Sequence, residues 1–114
     1  MDEREKWERQ IALSKLINTI LFDARSFLAV DPGSPFNDSY SSRAISLISL
    51  KRVVEGVSKL PQEFLDSHSE FPWERMIQKW DRIANGGPFI CNAIVHYDVA
   101  SDLYRMERIL KAAI

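Results

Sequence analysis

The chain has 114 residues, 46% of them hydrophobic, and a single cysteine, Cys91. That is one domain's worth of sequence, expected to span 1–114, with room to bury about two thirds of its unfolded surface without a disulfide or metal staple. Fifteen basic against sixteen acidic residues leave a formal net charge of −1, which argues against the broad basic field that non-specific nucleic-acid binders use and leaves room for a local basic patch.

The N-terminal segment MDEREKWERQ is densely charged and has no apolar run, so it predicts neither a signal peptide nor a membrane anchor and points to a cytoplasmic chain. From about Glu3 to Val30 the spacing predicts a long first helix. Its apolar stripe is Trp7, Ile11, Ser14, Ile17, Leu21, Ala24 and Leu28, flanked by Leu13, Leu16, Ile20 and Phe27. DPGSPFND comes next, with two prolines, a glycine and the capping residues Asn37 and Asp38, and reads as a loop before a second helix start. Helix two is expected from about Ser39 to Leu60, with the stripe Ala44, Leu47, Ile48, Val54, Val57 and Leu60. Gly56 interrupts it at a cost of about 1 kcal/mol relative to alanine, through either close helix approach or mere tolerance.

Pro61 opens a short helical turn through Phe64 and Leu65, and DSHSEF then reads as polar loop. In FPWERMIQKWDRIAN the residues Trp73, Met76, Ile77, Trp80, Ile83 and Ala84 share one helix face. Pro72 supplies the start and Asn85-Gly86-Gly87-Pro88 the stop. A last helix is expected from near Pro88, carrying Ile90, Ala93, Ile94, Tyr97, Leu103, Tyr104, Ile109 and Leu110, with a turn allowed at Asp98–Asp102. No alternating β-branched run competes. The expectation is an all-α chain, an antiparallel up-down four-helix bundle.

Familiar chemical motifs are absent: there is no phosphate-cradling glycine loop, cysteine pair, metalloprotease helix or serine elbow. The only histidines, His68 and His96, have no ligand partner at metal-site spacing, so neither a metal nor another cofactor is expected. His68, in the polar segment, reads as a solvated surface residue.

The stretch SSRAISLISLKRVVEGVSKLPQEFLDSHSEFPWERMIQKWDRI resembles the HepT-like toxins of the HEPN superfamily, small all-α proteins that are typically homodimers. In that family a helix with an alanine-led apolar run and a glutamate leads to a leucine-proline step. Beyond it lie a loop ending in Pro-Trp and the helix bearing the active motif. Ala44, Glu55, Leu60-Pro61 and Pro72-Trp73 stand in those places, and the resemblance spans roughly residues 10 to 85. It implies a partner of the nucleotidyltransferase antitoxin type, or RNA, with Glu55 near a dimer cleft.

The family motif is an arginine, a polar residue, three or four variable positions, a histidine and often a tyrosine two places on. Here the arginine place holds Trp80, the histidine place Asn85 and the tyrosine place Gly87, and only the polar place, Asp81, is kept. Tryptophan and asparagine can neither steady a charged phosphate nor shuttle a proton. However, HYDVASDLY after position 95 resembles the family's segment from its histidine onward, as though Asn85 to Val95 were inserted. Arg82 and His96 would then be the displaced clamp and general acid/base, with Asp81 orienting them.

Two readings therefore stand. One is a diverged, non-catalytic HepT-like protein of a toxin–antitoxin system that binds a nucleotidyltransferase-type partner or RNA. The other is an active, metal-independent endoribonuclease using Arg82, His96 and Asp81. Each residue also has a plainer reading. Arg82 can be an exposed helix cation, and His96 a hydrogen-bonded or surface histidine. Trp80 can be core or interface packing instead of a base-stacking platform, and Tyr97 a core residue instead of a nucleotide acceptor. A helical bundle that resembles the family through amphipathic patterning alone is the third possibility.

Overall fold

A computed structural model describes residues 2–31, 40–86 and 92–114, the side chains of Tyr40 and Ser41 excepted. The chain is all-helical, with helices α1 (Glu3–Leu28), α2 (Tyr40–Val57), α3 (Gln62–Ser67), α4 (Trp73–Ala84) and α5 (Ala93–Ala112) and no strand among the described residues. The expected caps at Asn37 and Asp38, together with Gly87, Pro88, Ile90 and Cys91, lie outside the described residues.

Helix α1 starts where its charges favour it. Asp2 Oδ1 accepts from the Glu5 backbone N–H at 2.8 Å, and Glu3 and Glu5 occupy the positive end of the helix dipole. Only its second half is core: Ile17, Ile20, Leu21, Ala24 and Phe27 are buried, whereas Trp7 is exposed. The expected stripe is fully buried only from Ile17 onward, while Leu13 and Leu16 before it are half-buried against the same core.

Helix α2 stops at Val57, earlier than the expected Leu60. Pro61 disfavours helical backbone at Leu60, and tighter turns, Lys59 N–H to Gly56 O and Leu60 N–H to Val57 O, close the end. Its buried face is Leu47, Leu50, Val53, Val54 and Val57. Ile48, assigned to that face from the sequence, is instead exposed beside Ile45. The turn after Pro61 is a discrete helix, α3, which runs on through Ser67 into the segment read as loop and buries Phe64.

Helix α4 buries Trp73, Met76 and Trp80, with Ile77, Ile83 and Ala84 half-buried against the same core, so its stripe lies where the spacing puts it. Helix α5 begins at Ala93 and not near Pro88, because the Asn92 side chain caps it by accepting from Val95 N–H at 3.0 Å. It continues unbroken through Asp98–Asp102. Val99 and Leu103 are buried in the core there, and Asp98 and Asp102, one turn apart, share a cation on α4. No described helix is long and apolar enough to cross a membrane.

Helix α1 packs most extensively against α2, and also against α5, while α2 packs against α4. Gly56 marks a close approach of α1 and α2, since a Cβ there would lie 2.7 Å from Cγ1 of Ile20. The glycine serves that contact. Gly56→Ala should gain about 1 kcal/mol of helix propensity but lose more to overpacking, which typically costs about 1–3 kcal/mol. We expect a melting temperature lower by several degrees. Adding Ile20→Ala, which removes the clashing atom, should make the alanine at 56 neutral or stabilising in a double-mutant cycle; strictly additive effects would contradict the close approach.

Candidate functional site

Trp80, in the place where the resemblance expects an arginine, is completely buried, 6.1 Å ring-to-ring from Phe71. Its indole Nε1 has no hydrogen-bond partner among the described residues. A guanidinium there would bring five donors into a pocket that fails to satisfy one. Asn85, in the histidine place, ends α4: its Nδ2 donates to the Asp81 backbone carbonyl at 2.9 Å and to Asp81 Oδ1 at 3.1 Å. Asp81 is thereby engaged in closing its own helix, and Arg82 beside it is exposed.

His96 sits in the first turn of α5 and faces α1. It is only 3% exposed, and its ring is stacked on Phe27 with centroids 4.2 Å apart and planes within 8°. Burial pushes its pKa below the ordinary imidazole value of about 6.5, against the opposing pull of a hydrogen bond to the Val30 backbone and the charge of Asp31. No hydrogen bond or ion pair among the described residues joins His96 to Arg82 or Asp81. Tyr97 is exposed, contrary to its reading as core, because on a helix the residue after a buried one points about 100° away. Its hydroxyl donates to Asp31 Oδ1 at 3.2 Å, tying α5 to the chain just past α1.

Glu55 is exposed on the outer face of α2, one turn from Arg52. Both act on buried Asp23 of α1: burial raises the Asp23 pKa, Arg52 lowers it and Glu55 raises it further. His68 is half-buried, its ring 4.5 Å from Phe64 and its Nδ1 3.7 Å from Glu70 Oε1. No group of three or more His, Cys, Asp or Glu among the described residues could hold a metal ion.

Two polar clusters escaped the sequence reading. Lys79 Nζ lies 2.6 Å from Asp98 Oδ2 and 2.8 Å from Asp102 Oδ2 and joins α4 to α5. Burial pulls its pKa down, but the hydrogen bonds to Asp102 and Asp98 outweigh it and the net shift is upward. Glu107 takes Lys111 at 2.8 Å and Arg25 at 3.4 Å, clasping α5 to α1. The Lys111 hydrogen bond leads in holding its carboxyl below the usual range, against burial. The signal for the first cluster was the four-residue spacing that puts Asp98 and Asp102 on one side of α5.

The outer face of α5 carries Ile94, Tyr97 and Tyr104, all more than half exposed, and Phe22 of α1 is exposed as well. Phe22 lies one turn before Arg25 on α1 and Tyr104 one turn before Glu107 on α5, and Arg25 and Glu107 form the ion pair that joins the two helices. Apolar side chains concentrated in this way mark a binding face more often than a bare surface.

Comparison with known proteins finds no matching family model, no matching curated protein and no matching solved structure.

The buried imidazole makes stability pH-dependent. The unfolded His96 takes up its proton around pH 6.5 and the folded one only at lower pH, so the unfolded state binds more protons on acidification. Stability is intact above the unfolded value and falls as pH drops through it towards the folded value. The melting temperature should fall between pH 7.5 and 5.5. His96→Phe, which keeps a ring against Phe27, should flatten that slope, because it removes the imidazole whose proton affinity folding changes. Separately, Lys79→Met should cost about 1–3 kcal/mol in chemical denaturation by stranding the largely buried Asp102 carboxylate. Adding Asp102→Asn should recover part of it.

Proposed function

We propose that this chain is a diverged, non-catalytic HepT-like protein that acts by binding another protein of the nucleotidyltransferase type. The observation that carries the reading is an inversion: the one histidine offered for catalysis is shut in against Phe27, while Ile94, Tyr97 and Tyr104 on the same helix face outward. A general acid/base must reach the proton it moves, whereas a binding face needs exposed aromatic anchors. A protein partner is favoured over RNA because net charge is −1 and the aromatic face mixes Arg25 and Lys111 with Glu107.

In this reading the helices form an antiparallel up-down four-helix bundle, with α3 a short connector. The pairings that support it run in opposite senses: Ile20 meets Gly56 while Asp23, further along α1, feels Arg52, earlier in α2. Likewise Lys79 pairs with Asp98 and Asp102, while Phe71, earlier in the chain, lies under Arg105, later in α5, at 5.7 Å. The bundle dimerises through the outer face of α2, where Ile45 and Ile48 are exposed beside Arg52 and Glu55. A two-fold axis across that face would set each Arg52 against the other copy's Glu55.

The test is incubation of the folded protein with diverse labelled RNAs in the presence of chelator, beside Arg82→Ala and His96→Ala. The RNAs should remain intact; cleavage lost in both variants would overturn the reading in favour of the ribonuclease. Light scattering should give a dimer that Ile48→Asp converts to a folded monomer.

A further inference from the structure

A cavity lies where the first half of α1 meets α3, the turn after α2 and the end of α5, and His96 is not among its lining residues. It is an open groove of about 870 Å³, within the size range of small-molecule sites. We propose that it binds a single-chain amphiphile with a carboxylate head, such as a free fatty acid.

The floor is apolar. Leu13 and Leu16 present the sides that the core leaves half-buried, and Phe64 of α3 closes the space between them and His68. The rim is cationic. Arg9 of α1 and Lys59 after α2 both line the groove, and neither has an ion-pair partner among the described residues, whereas Lys79, Lys111 and Arg25 do. Glu63 is the acidic lining residue, so the rim keeps an excess of positive charge.

The wall is also fixed in place. Trp73 Nε1 donates to the His68 carbonyl at 2.9 Å, and the His68 ring rests on Phe64 at 4.5 Å. An apolar floor selects a tail, and two uncommitted cations select an anionic head. A neutral or cationic amphiphile would gain nothing from the charges of Arg9 and Lys59 at the exposed rim, and a bare anion would leave the leucines uncovered. Only the combination satisfies both.

Calorimetric titration of the whole chain with dodecanoate, kept below micelle formation, tests this beside acetate and dodecyltrimethylammonium. Dodecanoate should bind one-to-one, acetate should give no saturable heat, and the cationic analogue should bind at least about tenfold more weakly. The double variant Arg9→Gln/Lys59→Gln should lose about tenfold in dodecanoate affinity. Ala12→Trp, an exposed lining position, should fill the groove and abolish binding, with helical circular dichroism unchanged. Absence of saturable binding by folded protein, equal affinity for both head groups, or indifference to these variants would overturn the proposal. So would a dimer that Ala12→Trp dissociates, since a second copy would then occupy the groove. None of these outcomes depends on the RNA or light-scattering results for Ile48.

Discussion

The buried run of α1 from Ile17 to Phe27 is the surface on which both α2 and α5 depend. Ile20 takes the close approach of α2 at Gly56, and Phe27 takes the ring of His96 from α5. Ala24 lies between them, fully buried. A run of small and branched side chains at this spacing lets two helices share one face, because packed interiors have no slack for a displaced backbone. Helix α4 adds Trp73, Met76 and Trp80 to the same core, packing against α2 and bridged to α5 by Lys79. Disturbing α1 in this segment therefore disturbs α2 and α5 directly, and α4 through α2.

The polar groups are arranged to match. Asp23, Asp102 and Glu107 are all nearly buried, and each lies close to a cation from a different helix: Arg52, Lys79 and Arg25 respectively. A buried carboxylate without such a partner would cost several kcal/mol of desolvation, on the order of what a whole domain has to spare.

Much of the helical layout was legible in the sequence because α4 has a clean stripe bounded by Pro72 and Asn85, and α1 has an acidic, capped start. The depth of each stripe was not legible. Trp7 and Ile48 are as apolar as Ile17 and Leu47, and only the lengths and angles of neighbouring helices leave the first two exposed. The start of α5 was misplaced because Pro88 is a good first-turn residue and Asn92 a good cap, and local propensity does not choose between them. At the candidate site, His96 and Tyr97 could be named from the sequence. Adjacent residues on a helix take opposite environments, though, and which one turned inward depended on the position of Phe27, far away in sequence.

The central claim is that His96 is a packing residue and that function lies in what the outer faces bind. Proton NMR of the imidazole tests this most directly in the wild-type protein and in Phe27→Leu. The account predicts a His96 Cε1 proton shifted upfield by the stacked Phe27 ring, titrating below the ordinary imidazole value, with both features diminished in Phe27→Leu. A His96 resonance at the position of a free imidazole, titrating near 6.5 and indifferent to Phe27, would place the ring in solvent and contradict the claim.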